Sequence, residues 1–156
     1  MFRIYAPSQR MHRCEKIGNA LKTFESNVTL SNYAKLGQFD DARRCIDEAM
    51  TAVETTKEKW CEADIHRIAG EIALMSPKLD AAKAETYFER ALTIARQQQA
   101  KSWELRAATS MARLWRDQGK RDAARNLLAP VYGWFTEGFD TLDLKDAKTL
   151  LDELHV

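Results

Sequence analysis

A chain of 156 residues, 45% hydrophobic and 30% charged, is long enough to bury one well-formed core. Its formal charge of +1 supplies no broad basic field for nucleic acid, and its three cysteines, Cys14, Cys45 and Cys61, form no C-x-x-C pair that would suggest a metal or redox centre. No stretch approaches the ~20 apolar residues of a membrane span, and Met1 to Met11 lack the apolar run of a signal peptide, so a cytoplasmic protein is expected.

Residues 1–11, MFRIYAPSQRM, have no sustained period and are expected to be an N-terminal flap or a frayed end. A helix is expected from about Arg13 to Leu36, with Ile17, Leu21, Phe24, Val28 and Tyr33 on one stripe. In LGQFDDA, Gly37 suits the left-handed end of that helix, and Asp40 or Asp41 suits the start of the next. Phe39 is expected in the bend, tucked between the two. The second helix should span about Asp41 to Thr55 and the third about Trp60 to Met75. Pro77 then enforces a stop, Leu79 takes the part of Phe39, and Asp80 caps a fourth helix, Ala81 to Gln98. Ser102 is expected to cap a helix beginning at Trp103. QGKRDAA, residues 118–124, repeats the first turn, Pro130 should kink or stop the next helix, and a last amphipathic helix is expected from Leu142 to Leu154, with Ala147, Leu150, Leu151 and Leu154 inward.

These elements repeat. Ala42, Cys45, Ile46 and Ala49 align with Ala84, Tyr87, Phe88 and Ala91, and with Ala124, Leu127, Leu128 and Val131, at intervals of 42 and 40 residues. The preceding helices align likewise, Gly70 and Ala73 with Leu30 and Tyr33 and with Ala112 and Trp115. A period of this size made of helix pairs predicts hairpins that bury their apolar faces by stacking on neighbours. The fold class expected is all-α, an α-α superhelix of antiparallel hairpins. It should form a single domain over residues 12–156, with units of about 13–57, 58–100 and 101–137 and a C-terminal capping helix at 140–154.

The pattern resembles the tetratricopeptide repeat, best in MARLWRDQGKRDAARNLL, where Met111, Ala112, Trp115, Gly119 and Ala124 stand at the family's large, small, aromatic, turn and alanine places. The first unit departs from that pattern in having Leu30 at a small place and Ser26 at a large one. IHRIAGEIAL, residues 65–74, and the stretch from Ala84 to Leu154 also look like the C-terminal helical-repeat region of bacterial signalling proteins that join a cyclase or DNA-binding regulator domain to an ATPase module. That resemblance implies a sensor or scaffold segment, because the catalytic parts of such proteins lie upstream of the repeats. No G-x-x-x-x-G-K-[ST] phosphate loop is present.

In a stack of hairpins the first helices line an inner groove. The register puts Asn27, Ser31 and Lys35 on it from the first unit, Arg67 and Glu71 from the second, and Arg106, Thr109, Arg113 and Arg116 from the third. Three arginines on one helix suit an acidic peptide, a terminal carboxylate or a phosphate. The plainer reading is a solvated face whose charges pair with Glu71, Glu104 and Asp117. His66 should be partly buried and structural: Asp64 lies only two positions from it, and although Glu62 stands one turn before it, no H-E-x-x-H motif or cysteine pair accompanies them to make a metal site. Cys61 and His66 lie five positions apart, too far round a helix to act as a nucleophile and base. No catalytic residue, cofactor or metal is therefore assigned, and the expected function is a non-enzymatic protein or peptide interaction module. A sensor for a small anion in the same groove and a self-associating remnant are the alternatives. The apolar groups at the ends, Phe2, Ile4 and Tyr5 at one and Tyr132, Trp134 and Phe135 at the other, are expected either to seal the terminal faces or to pair two chains as a homo-oligomer; membrane and nucleic-acid partners are not expected.

Overall fold

The computed structural model describes residues 39–56, 59 and 61–155. The described part is all-α, with six helices: α1 Phe39–Thr56, α2 Glu62–Met75, α3 Ala81–Gln97, α4 Lys101–Asp117, α5 Arg121–Gly133 and α6 Leu142–Leu154. The chain divides between Lys59 and Trp60 into two compact units. Of the expectations above, those for residues 1–38 lie outside the described residues, Lys35 among them.

In the first unit, α1 carries Asp40 and Asp41 in its first turn, where carboxylates meet the amide end of the helix favourably. Ala42, Ile46, Ala49 and Val53 are buried along one stripe at alternating spacings of four and three. Phe39, expected in the preceding bend, is instead the first residue of the helix and is part-buried.

In the second unit each helix packs on the next, and α4 also touches α2 and α6. This makes α4 the central helix, and nearly all of its middle is buried, from Glu104 and Leu105 through Ala112. One core gathers Leu92 of α3, Leu105 and Ala108 of α4, Leu128 of α5, and Leu144, Leu150, Leu151 and Leu154 of α6. A second gathers Ala73 of α2, Ala84 and Phe88 of α3, and Met111 and Leu114 of α4. The small residues sit where helices meet: Ala84, Ala112, Ala124 and Ala147 are all fully buried. Such notches let backbones close on one another while Phe88 or Leu128 fills the adjoining space.

The connections differ by local chemistry. Asp80 caps α3 by accepting the Lys83 amide at 2.9 Å. Ahead of it Pro77 holds Ser76 in extended backbone, at φ −63° and ψ 144°, which ends α2. Leu79, expected to tuck between these helices, is 69% exposed, because the longer SPKLD turn carries it outward.

The α3–α4 and α4–α5 turns share one geometry. Ala100 donates to the Ala95 carbonyl and Gln99 to Arg96; likewise Lys120 donates to Trp115 and Gly119 to Arg116, with distances of 2.8–3.1 Å. This double closure needs a left-handed residue just past the helix. Gly119 supplies it at φ 79°, while in the earlier turn Gln99 does so at φ 54°, a conformation that costs a residue with a Cβ about 1–2 kcal/mol. The tight turn also brings the start of α4 forward to Lys101 with Ala100 as its N-cap, so Ser102 lies inside the helix and makes no cap.

Pro130 does not stop α5, which continues to Gly133. It is exposed and sits in the last turn, where the amide it lacks is the only bond forfeited.

Candidate functional site

Charged side chains concentrate where α2, α4 and α6 meet. Arg106 and Arg113 lie two helical turns apart on α4, with Ser110 on the same stripe between them. Arg106 Nε donates to Asp143 Oδ2 at 2.7 Å, Arg113 Nη2 to Asp146 Oδ2 at 3.3 Å and Arg116 Nη1 to Glu153 Oε2 at 2.5 Å. The acceptors ascend α6 as the donors ascend α4, so the two helices run in the same direction. Arg116 also donates to Asp117 at 2.9 Å. These hydrogen bonds hold the Arg116 guanidinium pKa above its ordinary value, the Asp117 bond foremost and the Glu153 bond with it, against a smaller opposing effect of burial. Arg106 lies over the Trp103 ring, 5.0 Å from its centroid.

On the other flank of α4, Ser110 Oγ donates to Glu71 Oε1 of α2 at 2.6 Å. Glu71 lies 3.8 Å from Arg67, whose Nε donates to Asp64 at 2.7 Å. Of the nine groove residues predicted, Asn27, Ser31 and Lys35 lie outside the described residues, and Arg67, Glu71, Arg106, Arg113 and Arg116 stand at the seams of α2 and α6 with α4. Thr109 is buried with its hydroxyl donating to the Leu105 carbonyl at 2.8 Å. Ser110, next in the chain, is the polar residue that meets α2. Of the acids expected as partners, Asp117 and Glu71 do pair with arginines of this set, Arg116 and Arg67, whereas Glu104 serves Arg96 and Lys101 instead.

Exposure separates the two flanks. The Arg106–Asp143 and Arg113–Asp146 pairs have side chains 35–44% exposed, whereas Arg67 is 15% exposed and Asp64 2%. Half-exposed pairs contribute about 0–1 kcal/mol each, so the α6 flank is a labile charge array and the α2 flank a fixed one.

His66 on α2 is part-buried, its ring 6.2 Å from that of Tyr87 and its Nδ1 buried with no hydrogen-bond partner among the described residues. Burial lowers its pKa, the Arg90 charge lowers it further and Glu62 opposes them. The unfolded chain therefore takes up a proton at a higher pH than the folded protein does. Stability from this residue is full above about pH 6.5 and falls as the pH drops from there toward the depressed folded value. Thermal midpoints measured between roughly pH 7.5 and 5.5 should fall for the native chain and fall less for His66→Leu; parallel curves would remove this assignment.

Among the described residues no group of three or more His, Cys, Asp or Glu could hold a metal ion, and no helix is long and apolar enough to cross a membrane. Compared with protein-family models, with curated proteins and with solved structures, the chain matches none.

Proposed function

We propose that the chain is a non-enzymatic, cytoplasmic interaction module of stacked helical hairpins of the tetratricopeptide type, closed by α6, which takes an acidic protein segment along the α2–α4–α6 face. The packing of α2 on α4 and of α4 on α6, with α3 and α5 interposed along the chain, supports the hairpin stack. Its setting would be that of the helical-repeat regions of bacterial signalling proteins that the sequence resembles.

One observation carries the binding reading. Three arginines of a single helix are each held by a carboxylate of α6 at a half-exposed seam. That Asp143, Asp146 and Glu153 are all carboxylates supports an acidic segment as the occupant of the strip. Since each such pair contributes about 0–1 kcal/mol, the carboxylates of a partner can take the arginines over.

The test compares partners retained by the intact chain with those retained after Arg106→Gln and Arg113→Gln, once light scattering has fixed the oligomeric state. Glutamine is the right replacement, because glutamate would repel the acids of α6. Stability should change by under about 1 kcal/mol, while affinity for an acidic partner should fall roughly tenfold per arginine, the lower end of what a charge-assisted hydrogen bond contributes. An unchanged partner set with intact helicity removes the reading.

A further inference from the structure

Away from that seam, the second unit contains an open cavity of about 650 Å³, lined by Arg96, Gln99, Lys101, Ser102, Trp134 and Phe135. It lies between the end of α3, the α3–α4 turn and the segment following α5. Its volume is within the range of small-ligand sites, and its walls differ in character.

One wall is cationic. Arg96 Nε at 2.9 Å and Lys101 Nζ at 2.7 Å both donate to Glu104, a carboxylate only 6% exposed that does not itself line the cavity. A single buried carboxylate between two cations leaves a surplus positive charge. The Nη groups of Arg96 make no hydrogen bond among the described residues, and its side chain is 53% exposed. The Ser102 hydroxyl, released from any capping role, stands beside them. Gln99 completes this wall from a left-handed position that Gly119 fills in the matching turn, so here a side chain is kept at a place where glycine is easier.

The other wall is aromatic. Trp134 and Phe135 pack edge to face with centroids 5.2 Å apart. Lys101 lies 5.7 Å from the Trp134 ring centre, and still Trp134 is 58% exposed.

We propose that this cavity binds a small planar aromatic anion, its ring against Trp134 and Phe135 and its carboxylate on the Nη donors of Arg96, with Lys101 alongside. The guanidinium fork matches a carboxylate in two parallel bonds, and the exposed indole supplies a flat apolar surface for the ring. Arg106, Arg113 and Arg116 take no part, so this site stands or falls separately from the α4–α6 face.

The probe is 2-naphthoate, titrated into the full chain while the indole N–H resonance of Trp134, one of four tryptophans, is followed by NMR and identified with Trp134→Phe. A saturable shift confined to Trp134 is expected, with uncharged 2-naphthamide at least about tenfold weaker. Arg96→Gln should weaken naphthoate about tenfold and leave naphthamide unchanged. If that variant loses helicity because Glu104 is left with one partner, the comparison of acid and amide on the intact chain decides, together with Trp134→Leu. That substitution is at an exposed residue, keeps the fold, and should abolish binding of both compounds as measured by calorimetry. Absence of saturation, equal affinity for acid and amide, or binding retained in Trp134→Leu overturns the proposal.

Discussion

Replacing Gly70 with alanine should destabilise the second unit by about 1–3 kcal/mol, the usual cost of overpacking a filled core. The sign is informative, because glycine to alanine inside a helix ordinarily gains about 1 kcal/mol. Here the added Cβ would lie 2.4 Å from Phe88 Cε1, 2.8 Å from Cδ1 and 2.9 Å from Cζ. The ring has nowhere to retreat: Phe88 is fully buried among Ala73, Ala84, Met111 and Leu114. Urea denaturation would show the midpoint falling with an unchanged slope. Phe88→Leu in the native background should also destabilise, by opening a cavity. In the Gly70→Ala background it should cost less or even restore stability, since the smaller side chain makes room for the methyl. A coupling between the two changes of about 0.5–3 kcal/mol is expected. Additivity would show that α2 and α3 do not close through this notch.

The same notch explains which parts of the fold were legible. Gly70, Ala84, Ala112 and Ala124 recur at the repeat interval, and all four are buried in the structure. Helix periodicity is a local signal, so α6 too falls at the expected Leu142 to Leu154 with its expected inward residues buried. What periodicity does not encode is the pairing of side chains remote in the chain. The partners of Arg106, Arg113 and Arg116 on α6 are 33 to 37 residues away. The acids expected from sequence are Glu71, Glu104 and Asp117, and only Asp117, adjacent in sequence, is a partner of these three arginines. The aromatic cavity was illegible for a similar reason. It joins residues 96–102 to Trp134 and Phe135, across two helices, and its Gln99 occupies a backbone position that sequence preference assigns to glycine. Serine's preference for caps misplaced the start of α4, because the closure of the preceding turn through Ala100, and not a hydroxyl, fixes where that helix begins.

A larger loss is expected at the α2 flank, where exposure and not distance decides the outcome. Arg67 to Asp64 is 2.7 Å, the same as Arg106 to Asp143, but Asp64 is 2% exposed and Asp143 37%. Arg67→Met would leave the Asp64 carboxylate buried without its partner, and breaking a buried pair by removing one member costs about 3–5 kcal/mol. It also frees Glu71, which Arg67 and Ser110 hold from opposite sides, and so loosens the polar link from α2 to α4. Replacing both partners, Asp64→Leu with Arg67→Met, removes the desolvated charge along with its neutraliser. Most of the stability should then return, to within about 1 kcal/mol of the native chain, since an apolar pair of similar volume carries no unpaired group. Arg113→Gln provides the contrast: its pair is 44% and 40% exposed, so the loss should stay below about 1 kcal/mol. Equal losses for Arg67→Met and Arg113→Gln in chemical denaturation would mean that water reaches Asp64 as freely as Asp146. In that case the division of the α2–α4–α6 face into a fixed flank and an exchangeable one would have no energetic basis.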